Sequence, residues 1–198
     1  MREWFAQLIL YSEAMTLSGL YTPFGDLAAG VLRMVGETSG VAVDDDYVTE
    51  LKQRIGSMPA LPDVAAALQA LHAAGFRLVT LTNSAPGPSP TPLERAGIDG
   101  YFERSFSVHA VRRFKPAPET YAFVAGELGV QCADLCMVAC HLWDTIGAQA
   151  AGCSAALIRR PGNATLPVEG VPTPDIVADG IEPLAQAIID RWSPTRRQ

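Results

Sequence analysis

Near the start of the chain apolar residues recur at helical spacing. Trp4, Leu8, Tyr11 and Met15 are three or four positions apart, the period that lines one face of a helix. Tyr21-Thr22-Pro23-Phe24 breaks the pattern and supplies a proline suited to a helix start, and a second apolar helix runs from there to about Val35. Asp44-Asp45-Asp46 puts negative charge at the beginning of a third helix that ends near Ser57, where the helix dipole favours it. None of this stretch alternates as a strand does, so residues 1–59 are predicted to form a purely helical unit. The pattern changes after Pro59. Pro62–Ala74 is amphipathic and stopped by Gly75, and Phe76–Thr82 is a short apolar, β-branched run of the kind found in buried parallel strands. Short helices are predicted at Pro92–Ala96 and Asp144–Ala151, and longer ones at Pro118–Leu128 and Ile181–Trp192. Strands are predicted at Arg104–Val108, Leu135–Cys140, Ser154–Ile158 and Asp175–Ala178. Strands alternating with helices over residues 60–198 indicate an α/β core with a mostly parallel sheet.

Composition narrows the function classes. A net charge of −6 without any Lys/Arg run argues against a nucleic-acid surface. No apolar stretch approaches the ~18 residues a membrane helix needs. Arg2, Glu3 and Glu13 break up the early apolar residues, which is unlike a signal peptide, and a cytoplasmic location is expected. Three of the four cysteines, Cys132, Cys136 and Cys140, are spaced by four. Cys136 and Cys140 fall on one predicted strand, about 13 Å apart at ~3.3 Å per residue, too far to share an ion or a disulfide. The thiols are read as reduced, small apolar residues, with no metal site.

Ligands of open parallel sheets bind at the carboxyl ends of the strands. Thr82-Asn83-Ser84 closes the first predicted strand, Lys115 follows the second, and His141, Trp143 and Asp144 close the third and open its helix. Each has a plainer explanation. Thr-Asn-Ser is common turn chemistry, Asp144 suits a helix cap, Lys115 suits a solvated loop, and a histidine is often structural. Taken together, a hydroxyl and an amide, a lysine and a carboxylate at successive strand ends suit one anionic centre. Hydrogen bonds from the first pair would hold an anion, and the lysine, anchored by the aspartate, would offset charge on a carboxylate nucleophile.

These segments also resemble a known family. Leu81-Thr82-Asn83, Lys115-Pro-Ala-Pro-Glu-Thr-Tyr121 and Trp143-Asp144-Thr-Ile-Gly-Ala148 look like the later motifs of the haloacid dehalogenase superfamily. Val138–Ala148 is similar to its type II 2-haloacid dehalogenases, and the Trp4-Phe5-Ala-Gln-Leu8 and Tyr21-Thr-Pro-Phe-Gly25 segments resemble that group's helical cap. The resemblance implies a Rossmann-like parallel-sheet core carrying a helical cap, and a hydrolase acting on carbon–halide bonds of short 2-haloalkanoic acids. In that chemistry an aspartate displaces the halide and water then hydrolyses the ester. By position, Thr82 and Asn83 would bind the substrate carboxylate, Lys115 would orient the nucleophile, and Asp144 would support the lysine and help activate water. Tyr121 would assist beside Lys115, with His141 and Trp143 lining the site. No cofactor is implied, the partner is a small haloacid or related carboxylate, neither nucleic acid nor membrane is involved, and a homodimer is compatible with the pattern.

The chain departs from this family in three places. The Asp-x-x-Gly-Thr-Leu segment that carries the nucleophile is not found, so the first core strand is expected to be missing and the chain to be a truncated, inactive form. Trp4-Phe5 stands where many relatives have Trp-Arg, which bears on halide abstraction. Val138–Trp143 lacks the extra acidic residue of metal-dependent members, leaving too few carboxylates for Mg²⁺. Alternatives to a dehalogenase are a superfamily phosphatase and a non-catalytic protein that keeps an anion pocket. Without the central strand, the strands at Phe76–Thr82 and Leu135–Cys140 are expected either to flank a gap or to pair directly.

Overall fold

A computed structural model describes residues 2–193; Met1 and residues 194–198, the outer ends of the two predicted units, lie outside the described residues. Three helices come first: α1 (Arg2–Leu17), α2 (Phe24–Thr38) and α3 (Asp45–Gly56). Trp4, Leu8, Val31 and Leu51 form their shared core, and the Trp4 indole donates to the Ala28 carbonyl at 3.0 Å. Asp44 caps α3 by accepting from the Tyr47 N–H at 3.0 Å, so the acidic triplet both starts that helix and satisfies one of its free donors.

The remaining elements are α4 (Val64–Ala73), β1 (Val79–Thr82), α5 (Pro92–Arg95), β2 (Arg104–Ser107), α6 (Pro118–Leu128), β3 (Cys136–Ala139), α7 (Leu142–Ala150), β4 (Ser154–Ile158), β5 (Ile176–Ala178) and α8 (Ile181–Trp192). Every strand pair is parallel. Ala156 and Ile158 of β4 pack with Ile176 against α4 and α8, through Ala67, Leu71, Leu184 and Ile188. On the opposite face Met137 of β3 packs with Tyr121 of α6 and Ala148 of α7. Helices therefore cover both faces, which explains the near-continuous apolar strands.

Among the described residues the strands form two sheets, β1–β2 and β3–β4–β5, and β1 does not pair with β3. Of the two expected arrangements, direct pairing of these strands is therefore not formed among the described residues. Strands are also shorter than the apolar runs suggest. Phe76 and Leu78 pack against the α4/α8 core yet precede the ladder, because β2 runs beside β1 only from Val79 onward.

Candidate active site

Thr82 and Ala139 end β1 and β3, and Lys115, in the segment after β2, hydrogen-bonds residues that follow both strands. The Lys115 backbone N–H donates to Asn83 Oδ1 at 3.0 Å, fixing the Asn83 amide at the strand end. Its Nζ donates to Asp144 Oδ2 at 2.5 Å. Only 9% of Lys115 and 5% of Asp144 is exposed, so this is a desolvated ion pair and not a surface contact. The second Asp144 oxygen is also held: Tyr121 Oη donates to Oδ1 at 2.7 Å and to the Asp144 carbonyl at 3.0 Å. Burial, reinforced by the Asp144 charge, raises the Tyr121 phenol far above its usual range, so it remains a donor.

Local sequence explains each placement. His141 is the N-cap of α7, and Asp144 lies in that helix's first turn, where a carboxylate is favoured by the dipole. Its side chain is spent on Lys115 and Tyr121 and not on capping. Pro118 opens α6 and sets Tyr121 in its first turns. Gly147 of α7 lies against Pro116: a Cβ there would come within 2.4 Å of the Pro116 carbonyl oxygen. Only glycine allows the helix carrying Asp144 to approach the segment carrying Lys115 this closely.

The three-helix unit meets the core at this place. Phe114, fully buried, packs against Tyr21 and Phe24 with ring centroids 5.1 and 5.6 Å away. Its N–H donates to Thr16 Oγ1 at 3.0 Å, and Arg113 donates to the Thr16 carbonyl at 2.5 Å. Tyr21 Oη also hydrogen-bonds His109 Nδ1 at 2.9 Å. On the other flank the His141 ring stacks on Trp143 at 5.7 Å and lies 5.1 Å from Phe5. The Lys115 ammonium sits 5.7 Å from the Trp143 ring, within cation–π range. Burial lowers the His141 pKa below its usual value, which favours the neutral imidazole.

Asn83, Lys115, Tyr121 and Asp144 thus form one hydrogen-bonded group, with Trp143 and His141 beside it. Thr82 does not join that network: it is exposed, and its Oγ1 accepts from the Ser84 N–H at 3.1 Å, which is turn chemistry. Phe114, Gly147 and Thr16 were not singled out from the sequence, although the aromatic residue beside Lys115 and the glycine of the Asp-x-x-Gly-Ala segment were visible there. An open cleft of about 370 Å³ elsewhere, lined by Ser57, Met58, Pro59, Ala60, Arg95 and Ala96, contains none of these groups. Among the described residues no set of three or more His, Cys, Asp or Glu is placed to hold a metal ion, and no helix is long and apolar enough to cross a membrane.

Comparison with known proteins bears on the family of the chain. An (S)-2-haloacid dehalogenase of Xanthobacter autotrophicus is 31% identical over 157 residues, which make up 79% of this chain and 61% of that protein. A phosphoglycolate phosphatase of Vibrio parahaemolyticus is 27% identical over 177 residues, 89% of this chain and 72% of its own length. A solved structure of L-2-haloacid dehalogenase from Xanthobacter autotrophicus, with chloropropionic acid covalently bound, superposes with a TM-score of 0.84 at 25% identity, covering 96% of this chain and 85% of that one. The sequence profile of haloacid dehalogenase-like hydrolases matches residues 4–152. The chain belongs to the haloacid dehalogenase-like hydrolase family.

Proposed function

We propose that the Lys115 cluster is the anion-binding half of a site that displaces halide from short 2-haloalkanoic acids through a covalent ester on a carboxylate. The observation that carries this reading is the buried ammonium of Lys115, held by Asp144 and Tyr121 beside the Asn83 amide. In this reading Asn83 and Thr82 bind the substrate carboxylate, and Lys115 orients the nucleophile and offsets its charge. Asp144 keeps the lysine in place and polarises the water that opens the ester. Tyr121 fixes Asp144, and the Trp143, His141 and Phe5 rings keep bulk water away from the halogen-bearing carbon. The helices of residues 1–59 act as the cap over this core.

The reaction needs two carboxylates with separate tasks, one to attack carbon and one to assist water. Among the described residues Asp144 is the one carboxylate that contacts Lys115, and both of its oxygens are already engaged. The reading therefore assigns the nucleophile to a second aspartate on a strand between β1 and β3, which do not pair with each other, and gives the 198-residue chain by itself no turnover. The phosphatase relative keeps a second reading open. That reading requires acidic metal ligands near Asp144, and Val138–Trp143 contains none.

Chloride release from 2-chloropropionate tests the assignment. The chain alone should release none. A chain extended ahead of Met1 by an Asp-x-x-Gly-Thr-Leu strand should release chloride and should lose that activity on Lys115→Met. Turnover by the chain alone that Asp144→Asn abolishes would show that the nucleophile is misassigned. Mg²⁺-dependent phosphate release from phosphoglycolate, without chloride release from the haloacid, would favour the phosphatase.

A further inference from the structure

The end of the sheet opposite the candidate site holds a cysteine pair that the hydrolase chemistry does not use. Cys132 lies in a short 3-10 turn (Cys132–Asp134) leading into β3, and Cys153 immediately precedes β4. Backbone hydrogen bonds tie the two places together. Leu135 N–H donates to the Cys132 carbonyl at 3.0 Å, and Ser154 N–H donates to the Leu135 carbonyl at 2.9 Å. Gly152, at φ +91°, turns the end of α7 so that its neighbour Cys153 donates its N–H to the Ala148 carbonyl at 2.9 Å. A Cβ at position 152 would stand 3.8 Å from the Cys132 Cβ, so the backbone next to Cys153 passes directly over Cys132. The two side chains pack in the same cluster, and Cys132 is the thiol that acts on Cys153. Cys136 is close in sequence but belongs to the apolar cluster on the other face of the sheet, so it is not the partner.

We propose that Cys132 and Cys153 form a thiol pair that peroxide oxidises to an intramolecular disulfide, closing residues 132–153 into a covalent loop around β3 and α7. Cys132 is half-buried and Cys153 is 8% exposed, so Cys132 meets the oxidant first. Its thiolate attacks one oxygen of hydrogen peroxide; the O–O bond breaks, giving Cys132 sulfenic acid and, after protonation, one water. The Cys153 sulfur then attacks the Cys132 sulfur. The S–S bond forms, the S–OH bond breaks, and the hydroxyl leaves with the Cys153 proton as a second water. Two thiols and one peroxide thus yield one disulfide and two waters. Burial, and then the neighbouring Cys132, push the Cys153 thiol up to about 12, so Cys153 is not the thiol that peroxide meets first. The closed segment contains His141, Trp143 and Asp144, so the bond would constrain the strand–helix unit that carries one side of the candidate site.

The test is peroxide treatment of the purified, reduced chain, followed by alkylation, denaturation and peptide mapping. The expected product has lost two hydrogens and carries a linked Cys132–Cys153 peptide, while Cys136 and Cys140 remain free to be alkylated. A loop of about 20 residues should raise the melting temperature by roughly 6–12 °C, reversibly on adding dithiothreitol. Cys132→Ser and, separately, Cys153→Ala should each abolish both the link and the shift. Sulfinic acid at Cys132 with Cys153 still alkylable, a link to Cys136, or disulfides between chains alone would overturn the proposal.

Discussion

Replacing Asp144 by asparagine tests whether the Lys115–Asp144 pair organises the site. Asparagine keeps the volume and still offers Tyr121 Oη an acceptor, so the change removes charge and little else. The side chains of Lys115 and Asp144 are only 11% and 7% exposed, so water cannot replace the missing partner. The Trp143 ring cannot compensate either, because it already lies 5.7 Å from the ammonium in the intact protein. Breaking a buried pair from one side costs about 3–5 kcal/mol. For a chain of this size that lowers the melting temperature by roughly 6–20 °C. Lys115→Met should cost a similar amount, because it leaves the carboxylate buried with only the Tyr121 donor. The double variant Lys115→Met/Asp144→Asn carries no buried charge, and replacing both members of such a pair is often nearly neutral. Its loss should be about 1–3 kcal/mol, far below the sum of the single losses. Urea unfolding at pH 7, followed by circular dichroism and intrinsic fluorescence, measures all four corners of the cycle. Single losses that add to the double loss within about 0.5 kcal/mol would refute the coupling.

Gly147→Ala should destabilise by at least about 2 kcal/mol despite alanine's better helix propensity, because its Cβ would meet the Pro116 backbone; an unchanged urea midpoint would contradict the close approach of α7 to the Lys115 segment. Phe114→Ala should cost about 3–5 kcal/mol and raise proteolytic cleavage around Lys115, since the ring bolts that segment to Tyr21 and Phe24; loss of stability without faster cleavage there would count against the bolting role. Burial favours the neutral form of His141, with its pKa below the unfolded value of 6.5, so the unfolded chain binds the proton more readily. Stability from this group is therefore complete above about pH 6.5 and declines as pH falls through the depressed folded value. Urea midpoints measured between pH 8 and 5.5 should show that decline, and His141→Gln should flatten it; an identical profile in the variant would show that another group is responsible.

The order of elements was legible because burial of strands on both faces and of helices on one face imposes different apolar periods. Helix α6, strand β4 and helix α8 have the bounds that their periodicity predicts. The strand lengths were less legible: β1 and β3 stop short of their apolar runs because a ladder exists only beside a partner, and pairing is a long-range fact. At the candidate site Lys115 and Asp144 could be placed together because strand-end positions are shared in a parallel sheet. The environment of each could not. Asn83 turns toward the Lys115 backbone while adjacent Thr82 closes its own turn, and no local pattern separates these outcomes. The proximity of Phe5 to His141, of Thr16 to Phe114 and of Cys132 to Cys153 depends on packing between elements distant in sequence.

The most direct test of a haloacid-binding site at Lys115 is a titration of the isotopically labelled chain with 2-chloropropionate, read by amide and side-chain NMR shifts. Saturable shifts should concentrate at Thr82, Asn83, Lys115, His141 and Trp143. They should weaken at least tenfold in affinity in the Lys115→Met/Asp144→Asn variant, which removes the ammonium without leaving a buried charge. Shifts of equal affinity in that variant, or saturable shifts confined to another part of the molecule, would contradict the assignment.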